Sequence, residues 1–359
     1  MPAIDVLRGL AALAVMLFHS LNVIGSPASH PVLHPILFAI RHATGFGYLG
    51  VSVFFAISGW CIAQRARSAW VKGEPTSRFL LERALRIFPV YWCALLAAIG
   101  LRVAATFFNQ HSLSQTVPAG PLATIGDILL IQPYLGTPAF LLVSWSLVYE
   151  LGYYLVAGAA LSARQRGVST VWLMAAGFGL AVWSYFPHTS RALVILHYWP
   201  DFFAGMVAWQ ASRLPGRSKW ILASLGLLAL AALSRPGWTE PHRVTAIATA
   251  ILMLVFARST LRDTPISRAA LGLGAMSYSL YLIHICAISP WNNLAQHYVS
   301  PGSLGFVGLW LIGLTLGLAL GWALHRYCEA PIERWRRGLF TAKESPAFAA
   351  VAADVPENT

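Results

Sequence analysis

At 359 residues, 57% of them hydrophobic and 11% charged, the chain carries far less charge than the roughly 25% that solvates an ordinary soluble domain, and a polytopic membrane protein is expected. The net charge of +12 would suit nucleic acid, but the bases are spread along the chain at the ends of apolar runs, where they set orientation in a bilayer. The four cysteines, Cys61, Cys93, Cys286 and Cys328, lie in or beside those runs without paired spacing, which argues against a disulfide framework and a zinc site.

The first apolar run, Ile4 to Ile24, is long enough to cross a bilayer, yet it holds Arg8 and His19. Eleven helical steps return to nearly the same face, with a rise of about 16 Å, so both side chains look the same way. Inserting an arginine into hydrocarbon costs about 2.5 to 3.5 kcal/mol, and such groups normally face a protein interior or a wet cavity. A cleaved signal peptide fits less well, because the run exceeds a usual h-region and many further apolar segments follow.

Nine more runs follow: Gly45 to Ala63, Ala84 to Phe107, Leu141 to Leu161, Val171 to Phe186, Leu193 to Ser212, Trp220 to Leu233, Val244 to Ala257, Ala269 to Ile288 and Leu304 to Tyr327. With the N-terminus inside, 20 of the 25 basic residues fall on the inner side, leaving Arg41, Arg102, Arg191, Arg235 and Arg243 outside. The expected fold is therefore all-α: about ten transmembrane helices, both termini cytoplasmic, around a central polar pore or cavity. Residues 1–340 form one integral-membrane domain, and 341–359 read as a disordered cytoplasmic tail. The longest outer connection, Ala104 to Phe140, contains an apolar piece, Ile125 to Gln132, that suits a partly re-entrant lid.

Position within each run places His19 and His284 in the outer half of the bilayer, with Glu150 at a similar level, and a carboxylate near an imidazole would raise its basicity. Ser277, Tyr281 and His284 form a polar stripe, equally suited to a site wall or to interhelical packing. Small residues at Gly47, Gly50, Ser52, Ser58 and Gly59 allow close backbone approach. Beyond them the chain is strongly basic from Arg65 to Arg86, and Arg83 and Arg86 share a helical face at a spacing suited to a phosphate-rich ligand. Asp201 sits near the outer end of the sixth run, where partial hydration makes it cheap.

In order, the chain presents Asp5-x-x-Arg8-Gly9 with His19; Gly50-Val51, Phe54-Phe55 and Ser58-Gly59; Arg83-x-x-Arg86-x-x-Pro89-x-Tyr91; Trp145-Ser146-Leu147 with Glu150; Ser277-Tyr278, Tyr281-Leu282 and His284; and Glu329-Ala330-Pro331. Spread over Ile4 to Trp335, this set resembles the membrane acyltransferase-3 family, integral-membrane O-acyltransferases that modify bacterial surface glycans and related acceptors. The resemblance implies a ten-helix fold in the bacterial cytoplasmic (inner) membrane. It also implies acyl transfer, acetyl by family default, from cytoplasmic acyl-CoA to a hydroxyl of an extracytoplasmic glycan or glycolipid such as a lipopolysaccharide. Arg8, His19 and Glu150 take the catalytic roles it implies. Many relatives carry two adjacent acids after the Trp-Ser-Leu run, whereas Leu151 follows Glu150 here, which leaves a second acid's role open. Some relatives append a soluble esterase-like domain; without one, the chain is expected to act alone or with a separate partner.

The residues and the resemblance together assign acyl-CoA binding to Arg8, Arg83, Arg86, Ser58 and Tyr91, and an acceptor or cavity wall to Trp145, Ser146, Tyr281 and His284, with no metal. The partners expected are acyl-CoA, the glycan or glycolipid acceptor and the lipid bilayer, with no nucleic acid. His19 serves as general base or as acyl carrier. The rival readings are a proton-coupled transporter using His19, Glu150 and His284 as a relay, and a membrane scaffold with buried polar staples.

Overall fold

The computed structural model describes residues 1–22, 33–109, 120–186, 191–232, 239–257, 259–299 and 304–341. The described residues are helical throughout, without a strand, and fifteen α-helices follow one another. They are α1 (Pro2–Asn22), α2 (Leu33–Thr44), α3 (Gly50–Val71), α4 (Thr76–Asn109), α5 (Pro121–Leu129), α6 (Gln132–Leu135), α7 (Trp145–Gln165), α8 (Thr170–Trp183), α9 (Trp199–Ser212), α10 (Ser218–Ala232), α11 (Thr239–Phe256), α12 (Pro265–Ala275), α13 (Ser277–Tyr298), α14 (Leu304–Leu324) and α15 (Ala330–Thr341).

Every one of the ten apolar runs lies largely in helix, but the runs are not ten equal crossings. Among the described residues, four stretches are long and apolar enough to cross a membrane: Pro2–Ser20, Phe38–Val71, Thr76–Ala104 and Val307–Phe340. The ninth run is a broken pair, α12 and α13, bent by 74°, and counting it gives five. The helices Thr170–Trp183, Ser218–Ala232 and Pro241–Phe256 are apolar but short. Residues 342–359, where a disordered tail is expected, lie outside the described residues.

Helix α3 is the hub, packed against α1, α7, α9 and α11. Its crossing with α9 depends on two glycines, since a Cβ on Gly59 would lie 1.9 Å from the Phe202 carbonyl oxygen and one on Gly205 would lie 1.8 Å from that of Ala56. Bare backbone on both sides lets the helices touch, and the Phe202 ring fills the layer beside them, stacking on Phe55 at 4.4 Å and on Tyr153 at 4.5 Å. Helix α1 lies against α12 and α13 in the same way: a Cβ on Gly274, near the end of α12, would meet the Asp5 carbonyl oxygen at 2.1 Å. The break after α12 therefore sits directly on the Asp5-x-x-Arg8-Gly9 segment.

The basic stretch at the end of α3 divides into two populations. Arg65 binds Glu74 at 2.5 Å and Glu82 at 2.8 Å, while Arg78 reaches Glu82 at 3.6 Å and the Phe340 carbonyl of α15 at 2.8 Å. These two arginines tie α3, α4 and α15 together. Arg83 and Arg86 face a cavity instead.

The expected lid is α5 and α6, held rather than free. Asp127 is buried and accepts from the Gln132 amide at 2.9 Å and from the Phe140 N–H at 3.0 Å. Leu122, Ile125, Ile128 and Leu129 remain exposed on its other side.

Candidate active site

A cavity of about 270 Å³ opens between α1, α3, α4, α7 and α13. Seven of the residues assigned above to donor binding, catalysis or the cavity wall line it: Arg8, Ser58, Arg83, Arg86, Ser146, Glu150 and Tyr281, with Ser277 of the polar stripe beside them. Three guanidinium groups thus face one space in which Glu150 is the single carboxylate among the lining residues. Arg8 donates to Ser277 Oγ at 3.0 Å, and Ser277 is the first residue of α13, so the free N–H groups of that helix start add positive potential to the same wall. Like charges gathered in a partly buried space favour a polyanion, and phosphate is the chemistry best matched to several guanidiniums.

Glu150 is taken by its neighbours. Ser58 Oγ donates to it at 3.0 Å and the Tyr154 hydroxyl, one helical turn on, also donates to it. The expected meeting of Glu150 with an imidazole does not occur: the hydrogen bonds of His19 and His284 go to backbone carbonyls and to each other. Tyr154, Tyr278 and Cys61 join the cavity wall without having been singled out for it. Tyr154 was legible as the i+4 neighbour of Glu150 on α7.

The imidazole pair stands behind the cavity wall. His284 Nε2 lies 3.2 Å from His19 Nδ1, and the rings are 5.2 Å apart. His284 Nδ1 lies 3.0 Å from the Leu280 carbonyl oxygen. A carbonyl only accepts, so this nitrogen carries the proton and Nε2 presents its lone pair to His19. His19 Nδ1 faces the Val15 carbonyl at 3.0 Å as well, so it too is the protonated nitrogen. That leaves His19 Nε2 unprotonated, the form a general base or a nucleophile requires. His284 is fully buried, whereas His19 keeps partial exposure.

The α13 stripe joins these parts. Ser277 meets Arg8, Tyr281 bonds Ser146 Oγ at 2.8 Å and the Val143 carbonyl at 3.2 Å, and His284 meets His19. One face of α13 therefore runs beside the polar face of α1 from cavity to imidazole, with the Tyr281 ring 6.2 Å from that of His284.

Two predicted site residues lie elsewhere. Tyr91, assigned above to the donor, is wholly buried and gives its hydroxyl to the Asp127 carbonyl at 2.8 Å, so it anchors α5 and does not line the cavity. Trp145, assigned to the acceptor or cavity wall, packs its ring against Tyr149 at 5.7 Å and Tyr198 at 5.5 Å, outside the lining. Glu329, in the closing Glu-Ala-Pro motif, accepts from Ser279 at 2.7 Å and pairs with His325 at 2.9 Å across the π-helical turn His325–Glu329, fastening α14 to α13.

Sequence reasoning passed over a second polar cluster. Ser52 Oγ lies 2.7 Å from His242 Nδ1, and buried Asp201 and Arg243 face each other at 3.9 Å. The signal was available in His242-Arg243, two polar residues at the head of an apolar run. Among the described residues, no group of three or more His, Cys, Asp or Glu side chains could hold a metal ion.

The acyltransferase family, described as an acyltransferase domain, matches residues 1–326, and the chain belongs to the acyltransferase-3 family. It is 25% identical to the acyltransferase MdmB of Streptomyces mycarofaciens, covering 96% of this chain and 95% of that protein. It is 29% identical to the exopolysaccharide production protein ExoZ of Rhizobium meliloti, covering 83% of this chain and 95% of the relative. No solved structure matches. Acyl transfer is the reaction class that this membership carries, and the comparisons lend no support to the transporter reading.

Proposed function

We propose that the protein moves an acyl group, acetyl by family default, from cytoplasmic acyl-CoA to a hydroxyl of an extracytoplasmic glycan or glycolipid, in a bacterial cytoplasmic membrane crossed by about ten helices. The observation that carries this reading is the cavity with three guanidiniums and one carboxylate, joined through the α13 stripe to an imidazole whose Nε2 is free to accept a proton. Arg8, Arg83 and Arg86 hold the phosphates of the coenzyme. The pantetheine arm then runs along α1, where the rise of about 16 Å from Arg8 to His19 is comparable to its extended length.

At His19 the acceptor O–H gives its proton to Nε2 as its oxygen attacks the thioester carbonyl. The C–S bond breaks, and the coenzyme leaves as the thiolate. His284 keeps His19 in the productive tautomer and shares the charge that develops on it. The same Nε2 lone pair can instead attack the thioester and carry the acyl group before the alcohol arrives. Ser58 and Tyr154 hold the Glu150 carboxylate beside the guanidiniums, where it limits their mutual repulsion.

The acceptor approaches from the side of Phe18 and Tyr48. Those rings lie 5.5 Å apart, Phe18 touches His19 at 5.2 Å, and both rings line a separate open cleft with Phe38, Arg41, His42 and Phe46. Aromatic faces beside polar groups suit a sugar ring.

Purified protein supplied with labelled acetyl-CoA and surface polysaccharide tests the proposal. Label on the polysaccharide with wild type and none with His19→Ala is the expected result. Label on the protein before polysaccharide is added identifies the acyl-enzyme route. Absence of transfer together with solute uptake in vesicles overturns the reading in favour of a carrier.

A further inference from the structure

On the opposite side of α3 from the cavity lies a larger, mostly apolar groove of about 370 Å³, between α3, α7, α8 and α9. The two spaces are back to back and share Ile62 as a common wall. Its lining includes Ala66, Val156, Ala160, Leu173 and Met206, with two indoles, Trp70 and Trp209, in the last turns of α3 and α9.

Cations converge on those indoles. The Arg164 guanidinium lies 3.9 Å and that of Arg67 5.8 Å from the centre of the Trp70 ring, and Arg213 lies 5.4 Å from that of Trp209. Arg67 and Arg164 themselves line the groove. None of the three has a carboxylate partner among the described residues; the nearest polar contact of the set is Arg164 to the Val168 carbonyl at 3.4 Å. This contrasts with Arg65, two positions from Arg67, which binds two glutamates. The C-terminal ends of α3, α7 and α9 offset part of this charge, but each end supplies only about half an elementary charge. Three full cations therefore remain incompletely balanced at the end of an apolar trough.

We propose that this groove binds an anionic phospholipid, with an acyl chain against the alanine and leucine lining and the phosphate between Arg67, Arg164 and Arg213. Cation clusters between helices at the basic side of a membrane protein recognise such head groups. The apolar trough selects a lipid over a free phosphate, and the unbalanced guanidiniums select an anionic lipid over a zwitterionic one. The site is independent of the acyl-transfer reading, because none of these arginines lines the cavity.

Native mass spectrometry of the purified protein, titrated with phosphatidylglycerol and with phosphatidylcholine of the same acyl chains, tests this. One phosphatidylglycerol per chain should survive activation that strips phosphatidylcholine. The double variant Arg67→Gln/Arg164→Gln should weaken phosphatidylglycerol about 30-fold, at roughly 1 kcal/mol per cation. Ala160→Phe fills the trough with the cations intact and should weaken it too, while Arg67→Lys should retain it. Circular dichroism and melting confirm that each variant is folded. Equal retention of the two lipids overturns the proposal. So does undiminished phosphatidylglycerol binding by the folded double variant, or displacement of the lipid by glycerol 3-phosphate at equal concentration.

Discussion

His284 Nε2 and His19 Nδ1 face each other at 3.2 Å, and the Leu280 carbonyl fixes which of the two rings donates. The catalytic carboxylate expected beside His19 is thus replaced by a second, neutral imidazole. His284→Phe keeps a planar ring and removes the lone pair. Acyl transfer should fall about 100-fold, the lower end of what a general base supplies, while desulfo-CoA affinity measured by calorimetry stays unchanged. An undiminished rate would show that the Val15 carbonyl alone orients His19.

Arg83 and Arg86 line the cavity while Arg65 and Arg78 are engaged by acids. Arg83→Gln and Arg86→Gln should each weaken desulfo-CoA about tenfold, near 1.5 kcal/mol for one charge-assisted contact. Weakening by added salt should be less steep in both variants, because fewer cations then meet the phosphates.

Ser277 is the hydrogen-bond acceptor of Arg8 at the head of α13. Ser277→Ala should lower kcat/KM for acyl-CoA by about tenfold through loss of one hydrogen bond to a charged group. Ser277→Thr, which keeps the hydroxyl, should restore most of it.

Tyr91 supplies the opposite expectation. Tyr91→Phe removes its bond to the Asp127 carbonyl, and should cost about 1 kcal/mol of stability, read as a lower melting temperature. Donor affinity should be unchanged, since the side chain does not line the cavity.

The α3–α9 crossing can be tested at Gly59, with Gly179 of α8 as the control. Gly59→Ala places a methyl group 1.9 Å from the Phe202 carbonyl oxygen, and should lower stability by about 1 to 3 kcal/mol. Gly179→Ala meets nothing within 4 Å, and should leave the melting temperature unchanged or raise it, as helix propensity favours alanine.

Much of the helical order was legible because apolar runs and their basic ends report on lipid, a simple solvent. Arg8, Arg83, Arg86, Ser58, Ser146, Glu150 and Tyr281 were legible as cavity-facing residues because polarity inside an apolar run is costly without a cavity. Partner choice was not. Whether Glu150 reaches His19 on α1 or Ser58 on α3 depends on how α7 is seated, where Gly152 and Gly158 lie close against Ile195 and Leu80. The bend after α12 was hidden as well. It lies beside the close seat of Gly274 on Asp5, an interhelical fact that hydropathy along one run does not contain. Tyr91 misled because its motif neighbours, Arg83 and Arg86, do face the cavity, and a helix carries side chains to all sides.

Under the proposed function, the cavity and the imidazole pair must be connected yet held in place. Ser146 and Tyr281 border the cavity on the way to the imidazoles, and their hydroxyls are engaged with each other and with the Val143 carbonyl. These bonds, drawn from α7, α13 and the turn before α7, brace the wall that stands between the guanidiniums and the imidazole pair.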